Sequence, residues 1–261
     1  MLPDPLHISA QVLTAFLLLF ARVIGMFAAF PMFGERNVPW QARIGISFYM
    51  ALLLLPSTTA HQPLPALDFV MLGLGFIREL LVGLSIAYLG RLLFGAFQFA
   101  VNALDFQSGL SFVQVVNPGS DTSLSVMGQF LNTLMLLLFL EMDGHHLIIR
   151  AFAASLQAAP LGYASPPLPT ATLVAQMFGT FVSYGLQLAL PAVLLLTLVD
   201  IAMGIVGRVV PQLNVFLVAL PVKIMVMIVT LGLTLPVVSD IMGRLLGVLG
   251  EGLNAYVGMM R

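Results

Sequence analysis

The sequence predicts an all-α fold of long, kinked, apolar helices. Hydrophobic residues fill 60% of the 261 positions and charged residues only 8%, which gives a mean hydropathy of +1.05. Charge is absent from 5–21, 44–67, 122–140, 151–199, 209–222 and 224–239. Stretches of that kind reach the length of about 20 residues that lets a helix cross about 30 Å of hydrocarbon. The 16 prolines fall both between these stretches and inside them, which is the source of the predicted kinks.

The same numbers exclude whole classes of function. A soluble domain carries about 25% charged residues. The 10 basic and 11 acidic residues here cannot clothe a solvent-facing surface of this size. A soluble enzyme, a nucleic-acid binder and a disordered chain are thereby excluded. The chain has no cysteine, so disulfides, thiolate metal sites and cysteine nucleophiles are excluded as well.

Six apolar helical stretches are expected, at about 8–30, 40–55, 68–102, 123–158, 170–203 and 214–255. Asp4 is the only charge before Arg22, so the first stretch lacks the basic flank of a signal peptide and is expected to stay in the mature protein. A polar, proline-rich loop over 56–67, with Pro56, Pro63 and Pro65, closes the second. The third and the last are too long for one perpendicular crossing. Arg78, Glu79 and Arg91 lie inside the third, and charges at bilayer depth face protein or water rather than lipid. Gly144 predicts a bend within the fourth. Pro160, Gly162, Pro166, Pro167 and Pro169 mark the boundary between an N-terminal part (1–160) and a C-terminal part (170–261). Pro191, Pro221 and Pro236 are the expected kink points.

Four groups of residues stand out. Asp143, His145 and His146 with Glu141 could supply oxygen and nitrogen ligands to a metal, but the spacing matches no zinc-protease pattern. A polar helix end at an interface is the reading carried forward, with no metal and no cofactor expected. The segment 102–123 mixes aromatics, glycine and amides without a clean period, and Asn117-Pro118-Gly119 is a turn signal. It reads either as a pore-lining or gating loop or as an apolar connector. Arg208, Pro211, Gln212 and Asn214 form the turn of a helical hairpin. A hairpin centred near 210 brings Asp200 and Lys223 to similar heights, where they would pair or Lys223 would snorkel to water. Finally, Gly83 and Gly90 with Ala87, and Gly243, Gly247 and Gly250, recur at helical spacing and would let helices approach closely. No catalytic constellation is visible, so no enzymatic activity is expected.

Several ordered stretches together resemble the FliR family of flagellar type III export-gate proteins, the T component in injectisomes. They are Ala21-Arg22-Val23-Ile24-Gly25-Met26 with Pro31-Met32-Phe33-Gly34, then Asp105-Phe106-Gln107-Ser108-Gly109 with Asn117-Pro118, then Gly128-Gln129-Phe130-Leu131-Asn132 with Asp143-Gly144-His145-His146, and Arg208 through Phe216 with Pro221-Val222-Lys223. Ser108 and Asn117 depart from the Met and Asp usual there. The resemblance implies an N-terminal FliP-like part followed by a C-terminal FliQ-like hairpin. It implies assembly with FliP and FliQ into a helical hetero-oligomer in the inner membrane, within the flagellar basal body. FlhA and FlhB would be further partners, unfolded flagellar proteins the cargo, and membrane lipid a contact only at the periphery. It also implies that 106–119 plugs the channel, with Phe106, Leu110, Phe112 and Val113 as apolar bulk, Gly109 as the tight bend, and Gln107, Gln114, Asn117 and Pro118 in the same loop. Two other readings are a small-solute secondary transporter, which would need matching halves, and an intramembrane enzyme built on Glu141, Asp143, His145 and His146.

Overall fold

The computed structural model of the protein describes residues 5–30, 38–59, 69–109, 126–163, 171–212 and 214–260. Seven helices account for nearly all of them: α1 (Pro5–Ala29), α2 (Trp40–Thr59), α3 (Phe69–Ser108), α4 (Val126–Glu141), α5 (Gly144–Ala158), α6 (Ala171–Val209) and α7 (Val215–Gly258). The described residues contain no strand. The all-α prediction therefore holds. Among the described residues, four helices are long and apolar enough to cross a membrane, over Ala10–Ala29, Phe69–Ser108, Ala171–Val209 and Leu217–Gly258. At 40, 39 and 44 residues, α3, α6 and α7 each extend about 60 Å, twice the hydrocarbon thickness.

Several boundaries differ from the expectation, among them the end of the fifth stretch, which runs past 203 to Val209 in α6. Pro56 does not end α2, which runs on to Thr59. The hydroxyls of Ser57 and Thr58 donate to the carbonyls of Leu54 and Leu55, at 2.7 and 2.9 Å, and so satisfy acceptors of the final turns. The stretch expected at 123–158 is two helices, because Asp143 adopts a left-handed conformation (φ 58°) between them. The third stretch runs past 102 to Ser108, so Phe106 and Gln107 belong to a helix, not to an irregular loop. Pro191, Pro221 and Pro236 all sit inside continuous helices.

The chain divides into two packing units. The first comprises Met1–Phe94, Asp143–Met177 and Val248–Arg261, the second Gly95–Met142 and Phe178–Gly247. In the first, α1 buries Ala15, Leu18, Leu19, Arg22, Val23 and Met26, which share one helical face. Phe16 and Phe20 of α1 meet Phe48 of α2 edge to face. The backbones of α1 and α3 touch at a reciprocal pair of glycines. A methyl at Gly25 would overlap the carbonyl of Leu80, and one at Gly83 would overlap that of Arg22. In the second unit, Gly185 of α6 meets the backbone of α3 at Ala96 in the same way.

Candidate functional site

The charged residues embedded in this apolar chain build two polar centres, one in each unit. The first is closed. Arg22 and Glu79 stand 57 positions apart in sequence, on α1 and α3, and neither side chain reaches solvent. Arg22 Nε donates to Glu79 Oε2. One terminal nitrogen of the guanidinium donates to the Ser155 carbonyl at 2.9 Å and reaches its hydroxyl at 3.3 Å. The other donates to the Ala159 carbonyl at 3.0 Å. Both carbonyls lie at the C-terminal end of α5, where that of Ser155 also accepts the amide of Ala159 at 3.0 Å. The second carboxylate oxygen of Glu79 accepts from the Gly162 amide at 2.9 Å. A buried guanidinium with its fork filled in this way offsets its desolvation with hydrogen bonds on every side.

The second centre is more open and lies where α3 ends. Lys223 is the only lysine of the chain. Its ammonium sits against the carboxylate of Asp200 and donates to the carbonyl of Gln107 at 3.1 Å. The Gln107 side-chain amide donates in turn to Asp200 Oδ2 and to the Thr197 hydroxyl, both at 3.1 Å. The hairpin of α6 and α7 brings Asp200 and Lys223 to one height. Its turn is short. Arg208 lies in the last turn of α6, Pro211 and Gln212 are exposed, and the Asn214 carbonyl accepts from the amide of Leu217 at 3.0 Å. Sequence reasoning found the Asp200–Lys223 pair but gave Gln107 no place in it. The missing signal was the continuation of α3 through 103–108.

The last turn of α3 is fixed residue by residue. Gly109 takes the left-handed conformation (φ 80°) that glycine adopts without strain, and its amide donates to Phe106 at 3.2 Å. The Ser108 hydroxyl donates to Asp105. Phe106 is 78% exposed and projects from this turn. Leu110, Phe112, Val113, Gln114, Asn117 and Pro118 lie outside the described residues. Beside the same half of α3, an apolar cavity of about 680 Å³ opens in the second unit, lined by Phe97, Val101, Leu104, Leu131, Ile228 and Leu235 among others.

Of the glycines expected to mark close approach, Gly83 does so. Gly90 faces only the tip of Ile148. Gly243 and Gly250 meet side chains of Met142 and Leu147, and Gly247 has open space around it, so these three mark no backbone contact among the described residues. Their spacing was right, but spacing does not say which side of α7 carries a neighbour. Asp143, His145 and His146 do come together, with one potential ligand atom from each lying within 4.8 Å of the others. His146 Nδ1 and Asp143 Oδ1 are already hydrogen-bonded at 2.8 Å, and both side chains are more than half exposed. Glu141 is not a member of that cluster.

Residues 13–248 match the family described as "Bacterial export proteins, family 1". The chain is 38% identical to the flagellar biosynthetic protein FliR of Bacillus subtilis over 220 residues, which cover 83% of this chain and 84% of that protein. It is 34% identical to the flagellar biosynthetic protein FliR of Pectobacterium carotovorum, across 84% of this chain and 83% of that one. The corresponding protein of Escherichia coli K12 is 29% identical over the same shares.

Proposed function

The chain belongs to bacterial export protein family 1, the family of the flagellar FliR proteins, and we propose from this that it is a structural and gating subunit of the flagellar protein-export channel. In this reading it assembles with FliP and FliQ, works with FlhA and FlhB, and passes unfolded flagellar proteins through the inner membrane within the basal body. Residues 1–160 would serve as the FliP-like part and 170–261 as the FliQ-like hairpin. The segment that begins at Phe106 and Gly109 would close the channel. No step in this role calls for a catalytic residue.

The observation that carries the reading is the mixed exterior of the long helices. Leu194, Leu217, Met225 and Leu233 of α6 and α7 are exposed, as lipid-facing residues would be. Yet Arg78 and Arg91 are exposed on α3 too, among Val70, Met71, Leu74, Ile77 and Leu84. They are 13 positions apart, about 20 Å along the axis. On a lipid-facing helix an arginine costs about 2.5–3.5 kcal/mol at the bilayer centre. Against protein neighbours the same surface is inexpensive. A helix twice the bilayer thickness also suits an assembly that extends beyond the membrane.

The test is purification of the chain with and without its partners. Expression with FliP and FliQ should yield a stable complex, and expression alone an aggregating or degraded chain. A monodisperse monomer in mild detergent would overturn the assembly reading and favour a small-solute transporter. Deleting 110–119 should raise ion leak through the assembled complex. An unchanged leak would remove the plug assignment.

A further inference from the structure

We propose that Asp143, His145 and His146 bind a divalent transition-metal ion, zinc above all, at the start of α5. The proposal stands on the geometry of this turn and does not depend on the export reading.

Three features point the same way. Consecutive residues of a helix do not face each other. The rings of His145 and His146 nonetheless converge, with centroids 4.2 Å apart and planes inclined by 36°. Asp143 occupies the N-cap of α5, where a carboxylate ordinarily accepts from an amide of the first turn. Here it makes no such bond and turns instead to Nδ1 of His146 at 2.8 Å. Asp143 is also the only non-glycine residue at positive φ among the described residues. Backbone of that kind is costly and collects where it places a functional group. Lastly, Nδ1 of His145 is buried and has no hydrogen-bond partner among the described residues. A buried polar atom of that kind calls for a partner, and an ion serves an imidazole lone pair as well as a proton does.

Together these features bring one potential ligand atom from each residue within 4.8 Å of the others. The spacing in sequence matches no zinc-protease pattern, because a regular helix alone would not align the three. The left-handed turn at Asp143 supplies the convergence. Ligand atoms around a tetrahedral zinc lie about 3.3 Å apart, given bond lengths of about 2.0–2.1 Å. The Asp143–His146 pair therefore opens slightly and the wider separations close. Side-chain rotation supplies both movements, since Asp143 and His146 are more than half exposed. The entering ion replaces the proton that His146 Nδ1 donates to Asp143 Oδ1, and that proton leaves to solvent. Two imidazoles and one carboxylate suit zinc, nickel or copper and not calcium or magnesium. Water takes the fourth position. The carboxylate also offsets the positive end of the α5 dipole, which would otherwise oppose a cation there.

The benefit reaches the other end of α5, where the Ser155 and Ala159 carbonyls hold the guanidinium of Arg22. An ion that ties 143 to 145 and 146 pins the first turn of that supporting helix. Because it binds the folded chain, it raises the melting temperature.

The test uses detergent-solubilised protein without a polyhistidine tag, as the complex with its partners or as the chain alone, whichever purifies. Chelator-stripped protein is titrated with zinc against a fluorescent competitor, and cobalt serves as the visible probe of coordination. The expected result is one zinc per chain with micromolar or tighter affinity, a melting temperature raised by zinc, and the intense visible bands of tetrahedral cobalt. Asp143→Asn keeps a residue that tolerates the left-handed backbone. That variant, His145→Gln and His146→Gln should each weaken zinc by at least about tenfold, while the metal-free protein melts close to the wild type. His146→Cys provides a gain of signal in a chain with no cysteine of its own. It should keep zinc and add a thiolate-to-cobalt charge-transfer band that the wild type lacks. Binding only at millimolar zinc, or binding that all three weakening variants leave unchanged, overturns the site. So does His146→Cys protein that takes up cobalt without the new band.

Discussion

Arg22 and Glu79 pair in the first unit with neither side chain exposed, whereas Lys223 and Asp200 pair in the second with 14% and 44% of their side chains in reach of water. Each centre joins a cation to a carboxylate, and each takes up backbone carbonyls near a helix end. They differ in saturation. The guanidinium spends its donors on Glu79, Ser155 and Ala159, and a backbone amide completes the carboxylate. The ammonium and its carboxylate keep an open side. In a chain this poor in charge, a closed centre works as a fixed strut, since nothing is available to replace a lost partner. A half-open centre can be undone and remade.

The largest effect should come from breaking the closed centre. Arg22→Met leaves Glu79 buried without its cation, at a cost of about 3–5 kcal/mol. The assembled complex should fail to accumulate, or melt well below the wild type. Adding Glu79→Leu should restore much of the loss, because two apolar residues of similar volume often serve as well as a buried ion pair. A single variant as stable as the wild type would show that the strut holds nothing.

Close backbone contact sharpens the comparison at the next level. Gly83→Ala and Gly25→Ala should each destabilise by about 1–3 kcal/mol, since the new methyl would overlap a carbonyl of the facing helix. Gly247→Ala meets open space and should be neutral, or stabilising by up to about 1 kcal/mol through helix propensity. Thermal melting of the three variants side by side is the measurement. Equal effects at all three would mean that the α1–α3 contact is looser than its geometry.

Salt separates the two centres more gently. Raising the ionic strength from about 0.01 to 1 M shortens the screening length from about 30 to 3 Å. The half-exposed Asp200 should feel this and the buried Glu79 should not. A thiol introduced by Ser108→Cys is buried, and its labelling by a water-soluble maleimide should accelerate severalfold across that range. In the Lys223→Met background, where no ion pair remains, it should be flat. A salt response that survives Lys223→Met would place the sensitivity elsewhere.

How much of this could be read from the sequence depends on whether the signal was local. Helix class followed from charge-free runs, which are properties of single segments, whereas the six stretches expected became seven helices because Asp143 divides the fourth. The Asp200–Lys223 pair was legible because a short turn at 210 fixes the registry of two long helices. Arg22 was visible as an isolated charge and Glu79 as the neighbour of Arg78, both in apolar runs, but nothing in the sequence spans the 57 positions between them. The part Gln107 plays was lost for a different reason. Asn102, Asp105, Gln107 and Ser108 are weak helix formers that suggest a loop. In the structure Lys223, Gly109 and the Ser108 hydroxyl supply the termination that lets α3 run on to Ser108. Tertiary bonds thus overrode local preference at this helix end. Gly25 was likewise present in the sequence and passed over, because its partner face lay on another helix.

The smallest expected effect tests what surrounds α7. Asp240 and Arg244 pair at 2.9 Å, one turn apart, with 63% and 61% of their side chains exposed. The acidic residue precedes the basic one, which is the favourable order for a helix. In water such a pair contributes about 0.3–0.5 kcal/mol, so Asp240→Ala should cost little wherever α7 faces water. The assembled complex is the informative sample. If α7 stays open there, the variant again costs a few tenths, and salt removes even that. If a neighbouring subunit covers this side of α7, Arg244 loses its partner in a dry setting and the cost rises towards the level of the buried centre. A large loss in the complex would therefore mark this face as an assembly surface. A uniformly small one would leave Asp240 and Arg244 facing water, and the covering subunits would have to lie against the apolar sides carried by Leu217, Met225 and Leu233.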